Sequence, residues 1–170
     1  KSLISQGDIF QANLTTKIEL KASKEYQYLD IYSKVRSKLN APFGGIIIGG
    51  TDGEKEGVLS TSPERFLKTS YDGYVETRPI KGTRPRDKNR INDSFNAIDL
   101  ITNEKDRAEN IMIVDLLRND LGKVCETGSV KVTELLKLES YVKVHHLTSV
   151  IRGKIKNNKS WIDVLKACWP

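Results

Sequence analysis

The sequence predicts an α+β protein: antiparallel sheet with helices packed on it, formed as one domain. Three observations lead there. Short β-rich runs separated by Asp-Gly turns fill the first half of the chain. Two consecutive helical patterns follow with no strand between them, and two long strand-like runs then lead to a short final helix. At 170 residues the chain can bury one sizeable core and is short for two. There is no internal repeat and no low-complexity segment.

Taken in order, residues 8–20 read as a strand, with Phe10, Ala12 and Leu14 alternating with polar neighbours. Residues 28–39 form a helix whose stripe is Tyr28, Ile31, Tyr32, Val35 and Leu39. Asn40-Ala41-Pro42 ends it, because a residue before proline is pushed out of the α region. Residues 43–50 are an apolar strand, and Thr51-Asp52-Gly53-Glu54 turns the chain. Residues 57–62 and 65–70 are short strands split by Pro63, and Tyr71-Asp72-Gly73 is a hairpin turn leading into a strand-like 73–76. Two prolines and a glycine in Thr77-Arg78-Pro79-Ile80-Lys81-Gly82-Thr83-Arg84-Pro85-Arg86 then predict an ordered turn or loop. Asn92-Asp93 is the expected N-cap of a helix over about 94–102, and Asn103 that of a second over about 104–119, closed by Gly122. Residues 129–138 and 141–155 read as strands. Asn157-Asn158 turns the chain, and Ser160 caps a last helix over 161–169.

Hydrophobic content of 38% against 29% charged is that of a folded soluble chain rather than a disordered one. No apolar run approaches the ~20 residues that span a bilayer, and no signal peptide opens the sequence, so no membrane partner is expected. Cys125 and Cys168 have neither metal-ligand spacing nor a disulfide framework; reduced, buried thiols of a cytoplasmic protein are expected. The net charge of +6 suits nucleic acid or a small anionic substrate. The basic residues are scattered and no helix carries them as a stripe, which argues against a basic nucleic-acid-binding module. Salt-dependent DNA or RNA affinity would mark that alternative. The chain opens at Lys1 without methionine and closes at Trp169-Pro170 straight after an apolar helical pattern. The expectation is a partial domain, residues 1–170, truncated at both ends.

Four features are suited to chemistry. Lys81 is the one lysine among the arginines of the 77–86 stretch. A partly desolvated lysine beside other cations has its pKa pushed down and becomes a nucleophile, although composition alone favours a solvated basic loop. Asp106 and Glu109 are three apart on a helix, so their carboxylates share a face and suit one Mg²⁺. Asp106 also sits where an acid reciprocates the cap of Asn103. His145 and His146 alternate to opposite faces of a strand, leaving His146 on the side of Val142, Val144, Thr148 and Val150. It is there either a satisfied core residue or a proton-transfer group. Glu64, where Pro63 interrupts a strand, is either a surface ion-pair partner or an inward carboxylate.

Ser62-Pro63-Glu64-Arg65-Phe66, Thr77-Arg78-Pro79-Ile80-Lys81-Gly82-Thr83 and the run from Asp106-Arg107-Ala108-Glu109 to Leu117-Arg118-Asn119-Asp120 together resemble the chorismate-binding enzymes. So do Gly7-Asp8-Ile9-Phe10-Gln11-Ala12-Asn13-Leu14 and Val144-His145-His146-Leu147-Thr148-Ser149, all in the family's order and covering essentially the whole chain. Thr148 departs from the family's usual valine, a near-isosteric change. The resemblance implies antiparallel sheets packed in a sandwich with flanking helices. Lysine at position 81 resembles the aminodeoxychorismate synthase branch, since the anthranilate synthase branch, the alternative, typically has alanine there.

That resemblance implies that Lys81 attacks C2 of chorismate and expels the C4 hydroxyl, forming a covalent adduct. Ammonia then adds at C4 and displaces the lysine, giving 4-amino-4-deoxychorismate for p-aminobenzoate and folate. Glu64 is implied as proton acceptor, His146 as the histidine beside the ring hydroxyl, and Gly82 and Thr83 as substrate-binding. Glu109 is implied as a Mg²⁺ ligand with Asp106 beside it, the metal clamping a substrate carboxylate. Pro42, Phe43 and Gly44 resemble a segment lining a tryptophan pocket. Ammonia is expected from a separate glutamine amidotransferase subunit, because no cysteine here has a matching histidine. The family's remaining substrate loop and metal ligands are expected beyond Pro170, so residues 1–170 alone are expected to be catalytically silent.

Overall fold

The computed structural model describes residues 2–9, 12, 14–19, 21, 27–39, 41–51 and 54–169. After a four-residue helix, α1 (Ser2–Ser5), comes α2 (Tyr28–Leu39), with the bounds its apolar stripe predicts. Residues 12 and 14–19 are not in a strand, contrary to the expectation over 8–20; the rest of that stretch includes Phe10, Gln11, Asn13 and Leu20, which lie outside the described residues. Leu14 is fully exposed, so the alternation there has no sheet to bury against.

β1 (Phe43–Thr51) and β2 (Glu54–Ser62) form a two-stranded antiparallel hairpin, with Phe43 opposite Ser62 and Thr51 opposite Glu54. The turn residues Asp52 and Gly53 lie outside the described residues. Helix α2 packs on β2, and a methyl group at Gly44 would lie 2.8 Å from the Tyr32 hydroxyl, so a side chain there would require the tyrosine to shift.

The second sheet is five-stranded and antiparallel. β3 (Arg65–Thr69) pairs β4 (Tyr74–Arg78), which pairs the lower half of β7 (Val144–Lys154). β5 (Ile80–Pro85) pairs the upper half of β7, and β6 (Lys131–Ser140) runs along its other side. The Pro-rich stretch is therefore not a loop. Thr77 and Arg78 end β4, Pro79 kinks the chain, and residues 80–85 resume as a strand on the same neighbour. Each proline falls where a strand tolerates one: Pro79 between strands and Pro85 at a strand end. Ser149 N still donates to the Pro79 carbonyl at 3.1 Å, and Arg86 N to Lys143 O at 2.9 Å. Composition signalled a break, and pairing with β7 outweighed it.

α3 (Arg90–Thr102) starts four residues before the expected 94, because Asn89 accepts from Ile91 N and Asn92 N and is the true cap. α4 (Glu104–Val124) is capped by Asn103 as expected but passes through Gly122. Leu121 and Val124 are buried beyond the expected end. Burying them contributes more than the ~1 kcal/mol that a helical glycine costs. α5 (Trp161–Cys168) carries a full capping box between Ser160 and Asp163. The core of Val75, Val114, Leu121, Val124, Ile151 and Val164 lies where α4 and α5 meet β4 and β7.

Candidate functional site

Strand β5 organises the site. Ile80 pairs with Thr148 and Thr83 with His146, so three steps on β5 match two on β7. The extra residue falls at Lys81-Gly82, a β-bulge of the kind that re-aims side chains beside active sites. Gly82 makes it possible. Its φ is +91°, and a methyl group there would meet Leu100 at 2.8 Å and Asp106 at 3.0 Å.

Two groups from other elements hold this bulge. The Glu64 carboxylate accepts from Ile80 N at 2.7 Å, one residue before Lys81. Glu64 is exposed, and its carboxylate is held by this backbone amide rather than by an ion pair. Beyond the bulge, Thr83 Oγ1 lies 2.9 Å from His146 Nδ1. His146 is 9% exposed, and burial pushes its pKa below the ordinary value, partly opposed by the charge of Glu139. The Tyr141 ring stands edge-on to the imidazole at 5.6 Å, its hydroxyl donating to Glu139 at 2.6 Å. His145 turns to the opposite face, as alternation requires. There it bonds Asp93 at 3.0 Å and Ser140 at 2.8 Å.

The arginines around Lys81 are spent on ion pairs. Arg78 meets Glu139 at 2.6 Å, and Arg84 meets Asp99 at 2.6 Å and Asp106 at 2.9 Å. Arg86 grips Asp93 through two bonds of 2.8 and 2.9 Å. Among the described residues the Lys81 side chain has no such partner. The stretch is thus a neutralised frame around one unpaired amine, rather than a cluster of free cations.

Asp106 lies under Gly82 with its carboxylate held by Arg84, and its backbone N is capped by Asn103 at 3.0 Å. Glu109, one turn on, has only a loose 3.8 Å approach to Lys105. Among the described residues no three His, Cys, Asp or Glu side chains gather as a metal site. Asp106 is thus already satisfied, while Glu109 is one carboxylate free to reach a cation that also holds water and an anionic ligand.

Pro42 lines a cavity of about 320 Å³ together with Leu39, Pro63, Tyr141, Val144 and His146. Phe43 turns elsewhere, its ring under the Arg65 guanidinium at 4.7 Å, and Gly44 packs on Tyr32. Tyr141, Glu139 and Arg78, which buttress His146, were not singled out by the sequence. The pairing of both β4 and β6 with β7 brings them together, and no local pattern signals that.

The family described as chorismate binding enzyme matches residues 1–170, the whole chain. The chain belongs to the chorismate-binding enzymes. An aminodeoxychorismate synthase of Streptomyces pristinaespiralis is 40% identical over 172 residues, covering 100% of this chain and 23% of that protein. An anthranilate synthase component I-like protein of Synechocystis is 41% identical over 171 residues, covering 100% of this chain and 34% of that one. The crystal structure of anthranilate synthase component I from Streptococcus pneumoniae superposes with a TM-score of 0.69 at 32% identity, over 86% of this chain and 30% of that structure. The chain therefore spans about a quarter to a third of the length of these relatives. Among the described residues no helix is long and apolar enough to cross a membrane.

Proposed function

We propose that this chain carries the lysine-bearing part of an aminodeoxychorismate synthase, acting on chorismate and ammonia. The observation that carries the reading is the β5 bulge: Lys81 stands between an amide held by Glu64 and a threonine held at His146. Lys81 in its neutral form attacks C2 of the chorismate ring as the C4 hydroxyl, taking up a proton from solvent, leaves as water. His146, beside that hydroxyl, donates a hydrogen bond to the departing oxygen, and Glu64 accepts the proton the amine loses. Ammonia adds at C4, the C2–N bond to Lys81 breaks, and the lysine is freed. Gly82 and Thr83 help bind the substrate from the same bulge.

Mg²⁺ is part of this reading, with Glu109 as its ligand and Asp106 supporting the loop through Arg84. When bound, the ion offsets the negative charge of a substrate carboxylate. The ammonia source is a glutamine amidotransferase subunit, and the compartment is cytoplasmic, consistent with two free buried thiols. A tryptophan site at Pro42, Phe43 and Gly44 is supported only by the apolar cavity that Pro42 lines.

Anthranilate synthase is the second reading, favoured by the names of one relative and one solved structure. Lysine at position 81 weighs against it. Mixing full-length protein with chorismate and Mg²⁺ should give a lysine-linked adduct by intact mass, and Lys81→Ala should abolish it. With ammonium present, the product should be aminodeoxychorismate. An unchanged adduct in Lys81→Ala would remove the lysine from the reaction, and anthranilate as product would favour the second reading.

A further inference from the structure

We infer that Arg84 is a positioning residue for Lys81, a clamp that fixes the bulge from its far side. The inference rests on the proposed reaction for its consequence, and its structural half can be read without substrate. Lys81 and Gly82 lie between the Ile80–Thr148 and Thr83–His146 pairs, where the ladder with β7 is interrupted. Gly82, at φ +91°, has the backbone that is freest to move. Among the described residues no ion pair holds the Lys81 side chain, so the amine goes where the backbone of the bulge sends it. Whatever fixes that backbone therefore sets where the nucleophile stands.

On the near side Glu64 accepts from Ile80 N at 2.7 Å. On the far side Arg84 makes three bonds, and a guanidinium can only donate, so the direction of each is fixed. Nη1 donates to the Thr83 carbonyl at 3.1 Å, Nε to Asp99 on α3 at 2.6 Å, and Nη2 to Asp106 on α4 at 2.9 Å. The same two helices press on the bulge itself, since Leu100 and Asp106 are what a methyl group on Gly82 would meet. One planar group thus ties the strand just after the bulge to the helix corner against which the bulge rests. The Arg84 and Asp106 side chains are 25% and 17% exposed, so water screens this pair only in part. Asp99, at 44%, is the weaker anchor. A lysine cannot take this place, because one ammonium has no rigid fork with which to grip two carboxylates and a carbonyl together.

The test uses full-length protein and two readouts. Amide hydrogen exchange of a peptide covering residues 80–85 is followed without substrate, and lysine adduct formation by quenched intact mass with chorismate and Mg²⁺. Arg84→Lys, which keeps the charge, should speed exchange of that peptide at least about fivefold while peptides from α5 keep wild-type rates. It should slow adduct formation at saturating chorismate at least about tenfold, with half-saturating chorismate and Mg²⁺ each within about twofold of wild type. Arg84→Ala should exceed both effects. Asp99→Asn, which leaves the Asp106 pair in place, should show smaller shifts in the same direction, and with Arg84→Lys it carries the test if Arg84→Ala does not fold. Wild-type exchange at residues 80–85 in Arg84→Lys overturns the inference whatever the activity. Faster exchange with adduct formation at the wild-type rate also overturns it, since the clamp would then serve stability alone. So does a Mg²⁺ requirement raised tenfold or more, which would place the role of Arg84 at the metal. Faster local exchange in a protein whose wild type forms no lysine adduct would uphold the clamp and count against Lys81 in the proposed reaction.

Discussion

The carboxylate of Asp93 accepts two hydrogen bonds from Arg86 at 2.8 and 2.9 Å, one from the Asp87 amide at 3.0 Å, and lies 3.0 Å from His145 Nε2. It ties the first turn of α3 to the end of β5 and to β7. The Arg86 bonds, then the Asp87 amide, hold its carboxyl well below the usual carboxylate range. A depressed folded-state pKa means that the unfolded chain takes up the proton first. The contribution is therefore complete above the ordinary carboxylate pKa and is lost as pH falls from there toward the folded value. Thermal unfolding of wild type and Asp93→Asn should differ most near about pH 6, and the gap should close toward about pH 2. A gap that stays constant across that range would show that shape, not charge, makes Asp93 matter.

Beside its apolar contacts, helix α4 is tied to β7 by a buried polar side chain. Asn110, with no exposed surface, donates to Leu147 O at 3.1 Å and accepts from Ser149 Oγ at 2.6 Å. Ser149 Oγ in turn accepts from Leu136 N at 3.0 Å, at the one non-glycine residue of positive φ among those described, where β6 is irregular. One amide thus sets the position of α4 over β7 and, through Ser149, the shape of β6. Asn110→Ala leaves a buried carbonyl and a buried hydroxyl each short of a partner, at a cost of about 2–4 kcal/mol. Urea unfolding should show that loss with little change in m-value, and a loss below about 1 kcal/mol would mean that water replaces the amide.

Across the whole molecule, β7 is covered on both faces, and the two cysteines lie in the core beneath it. Burial raises the Cys125 thiol pKa and lifts that of Cys168 to about 11. Both shifts disfavour the thiolate near neutral pH, in keeping with the proposal that glutamine hydrolysis does not use these two thiols. A glutamine analogue that alkylates nucleophilic thiols should leave both cysteines unmodified in peptide maps of the native protein. Labelling at either one would bring the glutamine chemistry into this chain.

Much of this was legible locally. The bounds of α2, the Asn103 and Ser160 caps, the hairpins and the opposed faces of His145 and His146 follow from short-range periodicity and capping, which depend on residues a few positions apart. The family follows from motifs in order along the chain. What sequence periodicity could not decide was whether a segment finds a neighbour. Residues 14–19 have β-type alternation and are not in a strand, while the proline-bearing 80–85 is a strand because β7 supplies its partners. The frame around Lys81 belongs to the same class. Asp99, Asp106 and Glu139 lie on other elements, and only folding brings them close enough to neutralise the arginines and leave the lysine unpaired. Charge pairing depends on distance in space, and tertiary structure alone sets that distance.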